Sequence, residues 1–225
     1  MAQFTVKDIT LRVPGKALTK PLRTALETGR YEWNERDAIE RHVKPGDTVL
    51  DIGAGAGYIS IIAGRAAGPE NVISVEGNPV MMEALRDNLD ENGAQATQVL
   101  HGAVVADNFD EDNVLFAARD AFWSSSIAND KTNPEKIVEV PALKLSKLLE
   151  EHQPTIVSMD VEGGELELCQ QPWPPCVRMV VMEIHTSQYP PSSVKAIFDG
   201  MSKNNMTLMP WGTRGEVIVL QRCDK

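Results

Sequence analysis

A chain of 225 residues, 42% hydrophobic and 24% charged, is long enough for one domain with a full core, and its composition is that of an ordinary globular protein. The formal net charge of −10 repels phosphate backbones and anionic lipid, which argues against nucleic acid or a membrane as partner. Cys169, Cys176 and Cys223 make neither an even framework nor a C-x-x-C pair, and the opening MAQFTVKDIT has no signal or anchor character, so free thiols in a cytoplasmic setting are expected.

Residues 1–46 read as a lead-in or cap, and residues 47–225 as the main domain. FTVKDITLRVPG alternates apolar and polar residues, as a short strand or hairpin does. Asn34 is placed to cap a helix carrying Ala38, Ile39 and Val43, which Pro45-Gly46 ends. Just before it, Tyr31 and Trp33 can cover the edge of a core with Glu32 solvated; alternatively the segment lids a bound ligand, with Glu32 facing an ammonium group.

The stretch TVLDIGAGAGY is the most informative. Val49, Leu50 and Ile52 form a buried strand interrupted by one acid, Asp51, and Gly53, Gly55 and Gly57 then make a tight turn into an apolar helix. Ligands of open α/β sheets bind beyond the carboxyl ends of the strands, so this turn is a candidate site. Its spacing is G-x-G-x-G with Tyr58 at the sixth position, where a dinucleotide-binding turn carries glycine or alanine for close helix packing. Asp51 would repel a pyrophosphate. It suits a phosphate-free ligand with cationic and hydroxyl groups, such as S-adenosylmethionine.

NVISVE follows as a second buried strand ending in Glu76, about twenty residues past the turn, where a carboxylate can accept both hydroxyls of a ribose diol. NAD has that diol too. Asn78 and Pro79 read as the N-cap and first position of a helix running to Asn92-Gly93. A third strand is expected over residues 97–105, with Gly102 and Ala103 leaving room for an adenine ring or marking a close-packed spot. Residues 106–139 read as a surface hairpin and a mobile loop, in which Phe122 and Trp123 suit a substrate cover. IVEVPAL gives another strand, and a short helix spans residues 145–152.

Thr155-Ile-Val-Ser-Met-Asp160 is the next buried strand, followed by VEGGE. With a period of two, Ser158, Asp160 and Glu162 share a side if the strand stays extended that far. Acids at the end of a central strand are costly unless a ligand or water meets them. RMVVMEIH is a fifth strand with Glu183 and His185 on one face. Asp160, Glu183 and His185 could hold a divalent metal, but E-x-H is not a recognised metal motif and no metal is expected. An amphipathic helix over residues 192–201 and a terminal hairpin, MTLMPW and EVIVLQ about GTRG, complete the chain.

GRYEW, KPGDTVLDIGAGAGYIS, VISVEGNP with NLDENG, VSMDVEGGELELC and VVMEIH resemble, in this order, the motifs of the FkbM-type methyltransferases of class I. The resemblance implies an α/β fold with a Rossmann-like, doubly wound, mostly parallel seven-stranded sheet ended by an antiparallel hairpin. It also implies S-adenosylmethionine as cofactor and O-methylation of a small-molecule or sugar hydroxyl. Its cofactor positions fall on Asp51, Gly53, Gly55, Glu76 and Asn78, with Gly102 and Ala103 near adenine. Glu32 and Asp160 join this set from the reading of the residues themselves. Asp160, Glu162 and His185 are the candidate bases, Asp160 with an orienting role as its alternative. Two other functions fit parts of the pattern: a nicotinamide-dependent oxidoreductase, and a non-catalytic module that binds S-adenosylmethionine. Oligomeric state is not legible.

Overall fold

The structure is a computed structural model that describes residues 1–117, 126–127 and 137–223. In chain order its elements are β1 (Ala2–Val6), β2 (Ile9–Val13), α1 (Lys20–Glu27), α2 (Trp33–His42), β3 (Val49–Ile52), α3 (Tyr58–Ala67), β4 (Val72–Glu76), α4 (Met82–Glu91), β5 (Gln98–His101) and β6 (Ala103–Val105). They continue with β7 (Asn113–Ala117), β8 (Ser126–Ile127), β9 (Ile137–Lys144), α5 (Leu145–His152), β10 (Ile156–Met159), α6 (Glu165–Cys169), β11 (Met179–Glu183), α7 (Pro191–Lys203), β12 (Met206–Arg214) and β13 (Val217–Arg222).

Seven strands form the central sheet in the order β12-β13-β11-β10-β3-β4-β5. The five strands from β11 to β5 are parallel, and β13 runs antiparallel to both β11 and β12. This is the Rossmann-like α/β sheet expected from the sequence, with its terminal hairpin. The central strands β3, β4 and β10 are buried along their whole length because helices cover both faces. Their alternation divides the core: Val49 and Val72 face the layer of α2, α3 and α4, while Leu50, Ile52 and Ile73 face α5, α6 and α7. The strand order reverses between β3 and β10, and a crevice opens there beyond the carboxyl ends.

The N-terminal hairpin shares the first of these cores through Phe4, Val6, Ile9, Leu11 and Val13. Two asparagines, Asn88 in α4 and Asn92 just after it, fix it. Asn88 accepts from the Arg12 amide at 2.7 Å and donates to the Arg12 carbonyl at 3.0 Å; Asn92 does the same with Thr10 at 3.1 and 2.7 Å.

Several local expectations shift. Helix α2 begins one residue earlier than Asn34, with Glu32 as its cap in a left-handed conformation (φ 44°), so Asn34 lies inside the helix. Asn78 does not cap α4: its Oδ1 accepts from the Val80 amide at 3.0 Å, closing a separate turn, and the helix starts at Met82. The single strand expected over residues 97–105 breaks at Gly102 into β5 and β6. A Cβ on Gly102 would lie 2.7 Å from the Pro141 carbonyl and from Leu143, so the chain can cross there onto β9 only without a side chain. A second sheet, β6-β9-β7-β8, results, and β7 pairs with β9 as the outer hairpin. Phe122 and Trp123 lie outside the described residues. Strand β12 runs on to Arg214 across a register shift, closed by Thr213, whose Oγ1 donates to the Met209 carbonyl and accepts from the Val219 amide. Among the described residues no helix is long and apolar enough to cross a membrane.

Candidate active site

The glycine turn leaves β3 at the switch point. Gly53 and Ala54 donate to the Val75 carbonyl at 2.9 and 3.0 Å, and Asp160 donates to the Ile52 carbonyl at 2.9 Å, so the turn is strapped to both neighbouring strands. Gly53 has φ 88°, and a Cβ there would fall 1.9 Å from the Asp160 carbonyl oxygen. Only glycine passes through this gap.

Glu76, 6% exposed, stands across the turn. Its Oε2 accepts from the Gly55 amide at 2.7 Å and its Oε1 from the Asn78 amide at 2.5 Å. Burial pushes its carboxyl up to about 7 against the pull of those amides. Each carboxylate oxygen has two acceptor sites, so two remain for a ligand. A cavity opens over this pair. Its walls include Glu32, Gly53, Gly55, Glu76, Gly102, Ala103 and Asp160, seven residues expected at the site. Phe116, which sequence reasoning missed, packs so closely over Gly77 that a Cβ there would come within 2.8 Å of the ring; nothing in VLFAAR marks it beforehand.

Asp51 and Asn78 stand elsewhere. Asp51 is 3% exposed and lies behind the turn, where Ser60 Oγ donates to its Oδ2 at 2.5 Å and is itself 2.6 Å from Ser74 Oγ. Burial pushes its carboxyl up to about 6, opposed by Ser60 and Ser158. Its opening is a smaller recess shared with Glu32, Glu35 and Asp160. Asn78 is buried, and its described contacts hold the chain after Glu76.

The second half of the site lies at the tips of β10 and β11. Strand β10 stops at Met159, and Glu162 (φ 49°) with Gly163 (φ 113°) turns the chain back, so the period of two does not reach Glu162. Both acids nevertheless converge on His185: its Nε2 is 3.5 Å from Asp160 Oδ1 and 3.3 Å from Glu162 Oε2, and its Nδ1 is 2.7 Å from Glu165 Oε1. Gln188 donates to Glu162 Oε2 at 2.8 Å, and Tyr189 donates to Glu165 Oε2. Burial works against charge on His185, but Glu162, Glu165 and Asp160 outweigh it and push the imidazole up to about 11. Both ring nitrogens thus face carboxylates. Asp160 is held well above the usual carboxylate range by burial, with Glu183 adding to it. Glu35 and Glu183 are both raised, chiefly by burial, and are hydrogen-bonded to each other. Glu32 is also raised by burial. Glu35 was not singled out in the sequence, although it lies one helical turn after Glu32. Beside Glu32, the Arg214 guanidinium stacks 4.1 Å from the Trp33 ring centroid.

Residues 29–121 match the family model described as the TRM5/TYW2 methyltransferase domain, which is less than half of the chain. The ribosomal protein L11 methyltransferase of Burkholderia ambifaria is 39% identical over 72 residues, covering 32% of this chain and 24% of the relative. That of Cupriavidus necator is 27% identical over 139 residues, covering 61% and 40%. The chain thus spans between a quarter and two-fifths of the length of these relatives. Among solved structures, precorrin-6y C5,15-methyltransferase from Geobacter metallireducens is similar at a TM-score of 0.48 and 13% identity, covering 93% and 91% of the two chains. TYW2 of M. jannaschii in complex with AdoMet is similar at 0.46 and 14%, covering 97% and 82%. The sheet order is that of the Rossmann-like methyltransferase fold, and the glycine turn gives the chain a cofactor half that lies in the segment matching a methyltransferase model. Its cofactor is S-adenosylmethionine, and a phosphate-free adenosyl ligand fits the two remaining acceptor sites of Glu76 and the side-chain-free gap at Gly53.

Proposed function

We propose that the chain is an S-adenosylmethionine-dependent methyltransferase of FkbM type that methylates a hydroxyl of a small molecule or sugar. The observation that carries this reading is the continuity of one cavity from Glu76 and Gly55 to Asp160: an adenosyl grip at one end and a strand-tip acid at the other. When bound, the cofactor supplies an electrophilic methyl group on a sulfonium. Glu76 takes the ribose hydroxyls, Gly102 and Ala103 border the adenine, and Glu32 with Asp160 faces the cationic methionyl end. Alignment of the two reactants is worth about 7–11 kcal/mol. The hydroxyl hydrogen goes to a carboxylate, Asp160 or Glu162, for about 100- to 10,000-fold in rate. His185 is not the base, because both its nitrogens already face carboxylates; it holds those acids in place. Asp51 acts indirectly, by bracing the turn through Ser60.

A protein or RNA acceptor, as the names of the relatives would suggest, has less support. The family match, residues 29–121, falls on the cofactor half, and the net charge of −10 disfavours RNA. The test is S-adenosylhomocysteine release against a panel of hydroxylated metabolites, together with Asp160→Asn. If Asp160 is the base, that variant loses turnover by about 100-fold or more with cofactor Kd within about threefold. Equal losses in both make it a binding residue. Release with amines alone refutes the hydroxyl reading, and tighter binding of NADH than of S-adenosylhomocysteine refutes the whole assignment.

A further inference from the structure

We infer that Asp160, Glu183 and His185 form a binding site for one divalent cation of the manganese class. One donor atom from each of the three residues lies within 4.8 Å of the others, although Asp160 comes from the end of β10 and the other two from the end of β11. The fold assembles this triad across a parallel strand pair, register Met159↔Met182, and no single segment of sequence contains it.

Two further observations separate the triad from a chance meeting of acids. Asp160 Oδ1 is a buried oxygen with no hydrogen-bond partner among the described residues, and it is the oxygen turned toward His185 Nε2. A carboxylate oxygen in that condition costs free energy unless a cation meets it. In addition, Glu165, fully buried on α6, takes the Nδ1 side of His185 at 2.7 Å. That bond fixes the ring with Nε2 toward Asp160 and Glu162, and a bound ion would take the place of any proton on Nε2. It is the carboxylate–histidine arrangement by which proteins orient a metal-bound imidazole and raise its basicity.

The chemistry of the donors narrows the ion. Two carboxylates and one imidazole suit manganese or a related borderline cation better than calcium, which takes oxygen ligands alone, or copper(I), which takes sulfur. Three protein ligands leave coordination positions open, and Asp160 and Glu183 are partly exposed, so small molecules can reach them. The further role rests on the proposed methyl transfer. A bound ion would supply Lewis acidity that eases loss of the proton from an acceptor hydroxyl beside the triad. The proton goes to Glu162, the new O–CH₃ bond forms as the C–S bond breaks, and S-adenosylhomocysteine leaves.

The binding itself is testable without turnover. Mn²⁺ is titrated into the full chain with no cofactor present, and bound ion is read by electron paramagnetic resonance and calorimetry. One Mn²⁺ per chain is expected. Glu183→Gln and His185→Gln each weaken it by more than 10-fold, and Glu165→Gln, one shell out, weakens it by about 10- to 100-fold. Glu76→Gln, in the other half of the cavity, leaves Mn²⁺ binding unchanged. Binding of S-adenosylhomocysteine reports that Glu183→Gln is folded, and His185→Gln stands in for it if it is not. Absence of stoichiometric Mn²⁺ on the wild type, or equal binding to the variants, overturns the site. Mn²⁺ binding that the triad variants abolish upholds it even if no hydroxylated acceptor turns over, so the two ideas fail separately.

Discussion

Glu76→Gln tests the adenosyl grip most directly. The carboxylate now accepts from two backbone amides, Gly55 at 2.7 Å and Asn78 at 2.5 Å, and keeps two acceptor sites for the ribose. The amide side chain has the same shape but one oxygen, so its NH₂ must confront either an amide donor of the turn or a ribose hydroxyl. Hydrogen bonds to charged groups contribute about 1.5–3 kcal/mol each. Losing one to the cofactor weakens binding by about 10- to 150-fold, at 1.4 kcal/mol per tenfold. Leaving the Gly55 or Asn78 amide unsatisfied removes a further 1–3 kcal/mol, approximately, from the fold, a drop in Tm of roughly 2–12 °C for a chain of this size. Calorimetry with S-adenosylhomocysteine and with its 2′-deoxy analogue measures the first effect. The wild type should lose affinity for the analogue and the variant should barely distinguish the two ligands. A variant that binds S-adenosylhomocysteine as tightly as the wild type would refute the assignment of Glu76 to the ribose.

The same carboxyl sets a pH dependence. Glu76 is raised to about 7 and Asp51 to about 6, so each stabilises the fold fully below about pH 4 and loses that contribution as pH rises through those values. The excess stability of the wild type over Glu76→Gln should therefore shrink between pH 5 and pH 8 in thermal melts; an excess that grows would contradict the burial argument. Gly53→Ala meets both a left-handed φ of 88° and the Asp160 carbonyl at 1.9 Å, and should cost roughly 3 kcal/mol or more and abolish cofactor binding, read by chemical denaturation and calorimetry. Asn88→Ala releases the Arg12 backbone and the Ala56 carbonyl. It should cost about 1–3 kcal/mol and expose the N-terminal hairpin to limited proteolysis, whereas unchanged protection would mean that the apolar contacts of β1 and β2 suffice.

Local chemistry in the sequence settled the strand–turn–helix at residues 49–67, the buried strand ending at Glu76, and the short helix at residues 145–152. Each follows from interactions within a dozen residues: apolar runs buried on both faces, glycines that permit a left-handed backbone, a proline that stops a helix. The direct hydrogen bond between Glu76 and Gly55 was not legible, only that a turn and an acid lay about twenty residues apart. What failed were features decided by distant neighbours. Asn78 carries every mark of an N-cap, yet Glu76 holds its amide and delays the helix to Met82. Gly102 breaks a strand because β9, nearly forty residues on, passes too close for a side chain. That Ser60 takes Asp51 Oδ2 and in turn meets Ser74 was not legible either. The meeting of Asp160, Glu162, Glu165, Glu183 and His185 also depends on tertiary structure, because it requires β10 and β11 to pair in register and the Glu162–Gly163 turn to fold back. Sequence fixes what each residue can do within reach of its own backbone; which acids share a charge, and with what, depends on the packing of strands that are far apart in the chain.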